Sequence, residues 1–139
     1  MSGLQHGLAD KLVLHKVREA IGMDQVHFAG SGAAAIPKEV LEFFLGLGVP
    51  VLEVWGMSET TGVSTMTTSE NLKIGTVGKT VSGVEAKLAD DGELLIRGPV
   101  VMRGYRKQPE KTAETIDADG WLATGDIAKI DDEGNVTIV

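Results

Sequence analysis

Three short stretches of the sequence carry residues whose types and spacing could do chemistry. The first is "WGMSETTG" at 55–62, where an indole, a hydroxyl, a carboxylate and two threonines follow the apolar run "VLEV". A hard carboxylate such as Glu59 suits Mg²⁺ held together with substrate phosphates. Trp55 offers a flat face for a nucleobase, though a buried core position is the commoner place for a tryptophan. Taken alone, Ser58-Glu59-Thr60-Thr61 also reads as a solvated turn. The second stretch, "FAGSGAAAIPKEV" at 28–40, is a strand, a small-residue loop and a helix start. Its glycines and alanines would let a ligand approach the backbone, and the helix that follows presents unpaired N–H groups. A tight βα turn without a ligand fits the same residues. The third, "WLATGDIA" at 121–128, sets Asp126 behind an apolar strand and a Thr-Gly pair. A carboxylate there could accept both hydroxyls of a ribose diol, or simply end an exposed turn.

Each stretch needs elements to aim it. Leu8, Leu12, Val13, Val17, Ala20 and Ile21 recur at helical spacing and stop at Gly22. "QVHFAG" then reads as a strand. Pro37 opens a second helix in its favoured first-turn position, with Val40, Leu41, Phe44 and Leu45 as the apolar face. "VPVLEVW" gives the next strand. A strand, helix, strand order of this length is a βαβ unit with parallel strands. Ligands in open parallel sheets bind at the strands' carboxyl ends. Residues 25–29 and 51–55 are therefore expected side by side, about 4.8 Å apart if adjacent, with Gly32 and Ser58 at one edge.

Near residue 70 the rhythm becomes β-rich. "VEAKLADDGELLIRG" holds two strands joined at Asp91-Gly92, a strong hairpin signal. "PEKTAETI" is a short helix opened by Pro109, and "LATGDIAKIDDEGNVTIV" is a strand pair around a turn at 132–135. The fold class expected is α/β: a βαβ parallel-sheet segment over 1–70, then a small antiparallel barrel-like lobe over 71–139. Among other polar residues, His6, His15 and His27 lack metal-ligand spacing. Asp131, Asp132 and Glu133 read as a solvated turn.

Bulk properties narrow the field. The chain has 139 residues, 42% hydrophobic and 24% charged, enough for one domain or two small lobes with a real core. A net charge of −7 opposes nucleic-acid binding, which needs a basic footprint. Residues 1–70 carry 4 basic and 8 acidic groups, and 71–139 carry 9 and 12, so neither half is a basic arm. There is no cysteine, which removes disulfides, thiolate nucleophiles and Cys-ligated zinc. No basic-then-apolar leader and no run of membrane-spanning length is present. The expectation is a soluble, cytoplasmic protein, with peripheral membrane contact left open. "FAGSGAAAIP" is not a Walker loop, since no Gly-Lys-Ser/Thr follows, and Ala35 stands where a dinucleotide fingerprint needs its third glycine.

The order of the motifs is more telling than any one of them. "SGAAAI", "WGMSET", "GELLIRGPVVMRGY" and "GWLATGD" together resemble the adenylate-forming superfamily of acyl-CoA synthetases, luciferases and peptide-synthetase adenylation domains. The wording of residues 92–128 is most similar to bacterial long-chain fatty acid–CoA ligases. The resemblance covers nearly the whole chain. It implies a reaction of carboxylate with ATP to acyl-AMP and pyrophosphate, then thioester formation with coenzyme A, with Mg²⁺ as the metal.

It also implies roles by position. Trp55 stands at the family's tyrosine beside adenine, Ser58 at the α-phosphate hydroxyl, Glu59 at the Mg²⁺ glutamate and Asp126 at the ribose aspartate. Gly32, Ala33 and Ala34 match the loop lining the adenine and acyl sites. Gly56 and Met57 join the nucleotide contacts, and Gly30, Ser31 and Gly32 the acyl pocket. Ser58 and Glu59 are the implied catalytic pair. Trp55 in place of tyrosine enlarges the stacking surface and removes a phenol, and Ala35 replaces a frequent proline. The family's upstream phosphate loop has no counterpart here, and Val139 precedes the expected hinge and C-terminal lid with its lysine. The expectation is an internal fragment of the large N-terminal domain, inactive and weak toward ATP alone, with the missing parts of its own chain as partners. Two other readings stay open: an adenylating enzyme for an aryl or amino acid, and a nucleotide-binding module without catalysis.

Overall fold

The computed structural model describes residues 10–139. Leu8 and His6 of the sequence reading lie outside that range. A π-helical turn over Asp10–Leu14 runs into helix α1, His15–Ala20, which ends before Gly22 in a left-handed conformation. Arg18 of α1 bonds Asp10 at 2.7 Å and the Leu47 carbonyl at 2.6 Å. It thereby places a cation at the negative end of helix α2, Lys38–Gly46. Pro37 is the residue before α2, with an extended backbone, and its carbonyl accepts the first helical N–H groups.

Two four-stranded sheets carry the rest. The first has order β1-β2-β3-β4: Ala29–Ser31, Val51–Trp55, Thr65–Met66 and Lys79–Thr80. β1 and β2 are parallel neighbours, pairing Ala29 with Val51 and Ser31 with Glu53. β3 and β4 are antiparallel additions, which makes the sheet mixed and extends it beyond residue 70. The second sheet is wholly antiparallel, β5-β6-β7-β8: Glu85–Leu88, Glu93–Arg97, Leu122–Ile130 and Val136–Ile138. Helix α3, Pro109–Thr115, connects β6 to β7. The α/β class, the parallel pair and the curled antiparallel sheet agree with the sequence reading.

One strand is shifted. The run expected at 25–29 becomes regular only at Ala29, whose N–H donates to Pro50 O. Upstream the chain is still turning off α1, with Met23 N–H on Arg18 O and Val26 N–H on Met23 O. Those bonds consume the donors a longer strand would need.

The main core lies in the second sheet, where Leu94, Ile96 and Leu122 are fully buried. Val84, Leu94, Ile96, Ala128 and Val136 form its cluster, and Trp55 packs against it from the first sheet. Backbone bonds from Val77 N–H to Val136 O and from Val136 N–H to Gly78 O, both 2.8 Å, join the two sheets. The helices are less covered. Only Leu41 of the expected α2 face is buried, while Val40 and Leu45 are exposed, as are Leu12, Val13 and Ile21. Periodicity marked apolar faces; α2 meets β2 and buries Leu41, while most of both faces stays uncovered among the described residues.

Candidate functional site

The loop after β1 lies directly on β2. A Cβ on Gly32 would stand 2.6 Å from Val54 Cγ2 and 3.0 Å from the Val54 carbonyl, so only glycine allows that approach. Ala33 then takes a left-handed φ of 67°, a conformation that costs a non-glycine residue about 1–3 kcal/mol and that clusters at ligand sites.

After β2 the chain turns through "GMSETTG". Ser58–Thr60 is a single 3₁₀ turn, closed by Thr60 Oγ1 accepting Met57 N–H at 3.0 Å. Thr60 is fully buried, so one of the two threonines in the polar cluster is a structural clamp. Thr61 (φ 59°) and Gly62 (φ 107°) reverse the chain into β3, and Ser64 N–H returns to Trp55 O at 2.9 Å. A side chain at Gly56 would overlap the Gly62 carbonyl, which explains the glycine after Trp55. Ser58 is exposed at the tip.

Thr124, Gly125 and Asp126 form a bulge in β7. Glu93 pairs with Ile127 and Leu95 with Ala123, so the three residues stand opposite Leu94 alone. Thr124 Oγ1 donates to Leu94 O at 2.8 Å, Gly125 N–H to Glu93 Oε1 at 2.7 Å, and Gly125 takes φ 78°. Bulges re-aim side chains next to sites. Here Asp126 is turned toward the first sheet, where Trp55 Nε1–H donates to its Oδ2 at 2.8 Å.

These segments enclose one cavity of about 580 Å³, within the range of small-molecule pockets. Ser31, Gly32, Ala33, Ala34, Trp55, Gly56 and Asp126 all line it. Met57, Ser58, Glu59 and Gly30 do not. Glu59 lies beyond the wall, where its Oε1 accepts the Tyr105 hydroxyl at 2.8 Å and its backbone carbonyl accepts Met102 N–H at 2.7 Å. Thr61 Oγ1 adds a 2.7 Å bond to Val100 O. The Tyr105 hydrogen bond, followed by Glu59's own backbone N–H, lowers the Glu59 pKa below its ordinary value, so it is a carboxylate at neutral pH. The same contact raises the Tyr105 pKa.

Two participants escaped the sequence reading. Glu53 lines the cavity two residues before Trp55, and the period-2 alternation of a strand places both on one face. Burial raises its pKa, partly offset by a hydrogen bond from the Gly75 backbone. That alternation was the available signal. Tyr105 had none, since its partner is 46 residues away.

A family model described as "AMP-binding enzyme" matches residues 5–106. The chain belongs to the AMP-binding enzyme family. Curated relatives include "Putative fatty-acid–CoA ligase fadD11" of Mycobacterium tuberculosis, 54% identical over 131 residues. Another is the long-chain-fatty-acid–CoA ligase ACSBG2 of Xenopus laevis, 41% identical over 136 residues. Each match takes in 94% of this chain, which spans 23% and 18% of the two relatives' lengths. Among solved structures, the anthranilate CoA ligase AuaEII in complex with anthranoyl-AMP superposes with a TM-score of 0.76 at 25% identity. That match covers 84% of this chain and 24% of the other. Within this AMP-binding segment, no helix among the described residues is long and apolar enough to cross a membrane.

Proposed function

We propose that this segment forms the AMP-holding wall of an ATP-dependent long-chain fatty acid–CoA ligase. The carrying observation is the convergence of the Gly32–Ala34 loop, Trp55 and Asp126 on one cavity, with the last two in direct contact. Trp55 gives the base a flat ring, Asp126 accepts ribose hydroxyls, and half-buried Glu53 supplies an acceptor for an exocyclic amine. Ser58, exposed at the turn, meets the α-phosphate. The fatty-acid ligase names of the two curated relatives favour a fatty acid as the carboxylate. An aryl acid is the second reading, motivated by the anthranoyl-AMP complex on the same fold. Acyl-chain profiling separates the two.

Among the described residues no three metal-capable side chains cluster. An ionised carboxylate beside a phosphate site suits Mg²⁺, which takes one or two carboxylates and completes its shell with water and substrate phosphates. Glu59 would hold it, and the ion would neutralise charge moving onto pyrophosphate. ATP and coenzyme A as co-substrates fit a cytoplasmic setting, with peripheral membrane contact for delivery of an insoluble fatty acid.

The test is pyrophosphate exchange at varied ATP and Mg²⁺ in the polypeptide at its full native length. Glu59→Gln should lower the exchange rate and its Mg²⁺ dependence more than it weakens AMP binding, because charge stabilisation grows toward the transition state. Asp126→Ala deletes ground-state hydrogen bonds to a charged acceptor, each worth about 1.5–3 kcal/mol. Nucleotide affinity should therefore fall by about one to two orders of magnitude. Wild-type behaviour of Glu59→Gln would remove the metal role, and undiminished affinity in Asp126→Ala the ribose role. The 139-residue chain alone should give no exchange.

A further inference from the structure

The bond between Trp55 and Asp126 joins two sheets and two residues with separate parts in the proposed site. Asp126 takes part in no ion pair within 4 Å among the described residues. The bulge fixes its backbone: Asp126 N–H donates to Thr124 Oγ1 at 3.2 Å, and Thr124 is itself tied to Leu94. Backbone restraint leaves the carboxylate free about its two side-chain torsions. The side-chain contact that fixes them is the indole N–H at 2.8 Å.

An indole is a donor only, so it recognises the carboxylate and cannot compete for the hydroxyl protons the carboxylate must accept. A carboxylate offers about four lone-pair sites. The indole uses one on Oδ2, which leaves enough for a diol. Phenylalanine would keep a flat ring and lose the donor. A tyrosine hydroxyl facing the carboxylate would also have to donate, since an ionised carboxylate only accepts.

We propose that the Trp55 indole N–H is the positioning group for Asp126, so that recognition of the ribose diol depends on the residue that also faces the base. This rests on the nucleotide reading above, and the two can fail separately. The experiment compares AMP with 2′,3′-dideoxy-AMP by calorimetric titration of the full native-length polypeptide as wild type, Trp55→Phe and Asp126→Ala. Wild type should prefer AMP by about tenfold or more, the scale of one charge-assisted hydrogen bond. Asp126→Ala should erase that preference.

Trp55→Phe should lose most of the preference between the two nucleotides, whatever affinity the smaller ring costs both of them alike. A full preference retained in Trp55→Phe, with or without an equal loss for both nucleotides, would overturn the positioning role and leave only a stacking surface. A wild type that does not distinguish the two nucleotides would end the ribose reading and this inference with it. An independent readout avoids the Trp55 variant. The 139-residue sequence has two tryptophans, and the Trp55 indole ¹H–¹⁵N resonance, assigned in the native-length polypeptide, should shift on Asp126→Ala while that of Trp121 stays. An unmoved Trp55 resonance would overturn the contact itself.

Discussion

Glu53 shows how one residue of this site works against the stability of the molecule that carries it. Burial raises its pKa in the folded state, so the native protein holds the proton at pH values where the unfolded chain has released it. Stability attributable to Glu53 therefore falls as pH rises from the ordinary glutamate value through the raised one, and the penalty persists above it. Glu53→Gln removes the partly buried charge. It should raise the unfolding midpoint at pH 7 and leave it unchanged near pH 3, as thermal scans at the two values would reveal. An equal change at both pH values would mean that packing, not ionisation, is responsible. The same variant should weaken nucleotide binding if the carboxylate receives the base's amine. Trp55, Glu59 and Asp126 were legible as candidates because each lies in a short polar motif at or just after the end of an apolar run. Glu53 was hidden within such a run, and Tyr105 meets Glu59 only through tertiary folding.

Among the elements, glycines mark the places where backbone meets backbone. Gly78 has φ 76°, and a Cβ there would overlap the Met66 carbonyl and the Thr67 nitrogen. Gly134 has a similar φ of 86° with nothing within 4 Å of the added carbon. Alanine at 134 should cost about 1–2 kcal/mol, the left-handed penalty alone. At 78 it should cost about 3 kcal/mol or more, because strand β3 must also move away from β4. Urea midpoints of the two variants measure the difference, and equal midpoints would show that β3 and β4 yield freely.

Their pairing was not legible in the sequence. Thr65–Met66 and Lys79–Thr80 are two residues each, too short for a period-2 pattern to register. The hairpin at Asp91-Gly92 and the Pro109 helix start were legible because turn chemistry and proline geometry act locally. The bulge at 124–126 was not, since it exists only as a mismatch with Leu94 on another strand.

For the whole molecule, the hairpins of the second sheet differ from the site in how much chain they must close. β5 and β6 meet across a four-residue turn, and β7 and β8 across a similarly short one. The Trp55–Asp126 contact spans 71 residues. Short closures form early and long ones late, because the entropy of closing a loop is lost before the contact returns anything. The chain should therefore refold in two stages, with strand pairing first and the nucleotide wall second. Trp121 sits under Lys87 and Arg97 in the second sheet, so Trp121→Phe leaves Trp55 as the reporting fluorophore. After a denaturant jump, far-UV circular dichroism should recover ahead of Trp55 emission, and AMP should have no effect on the first phase. Simultaneous recovery of both signals would mean that the wall closes together with the sheets.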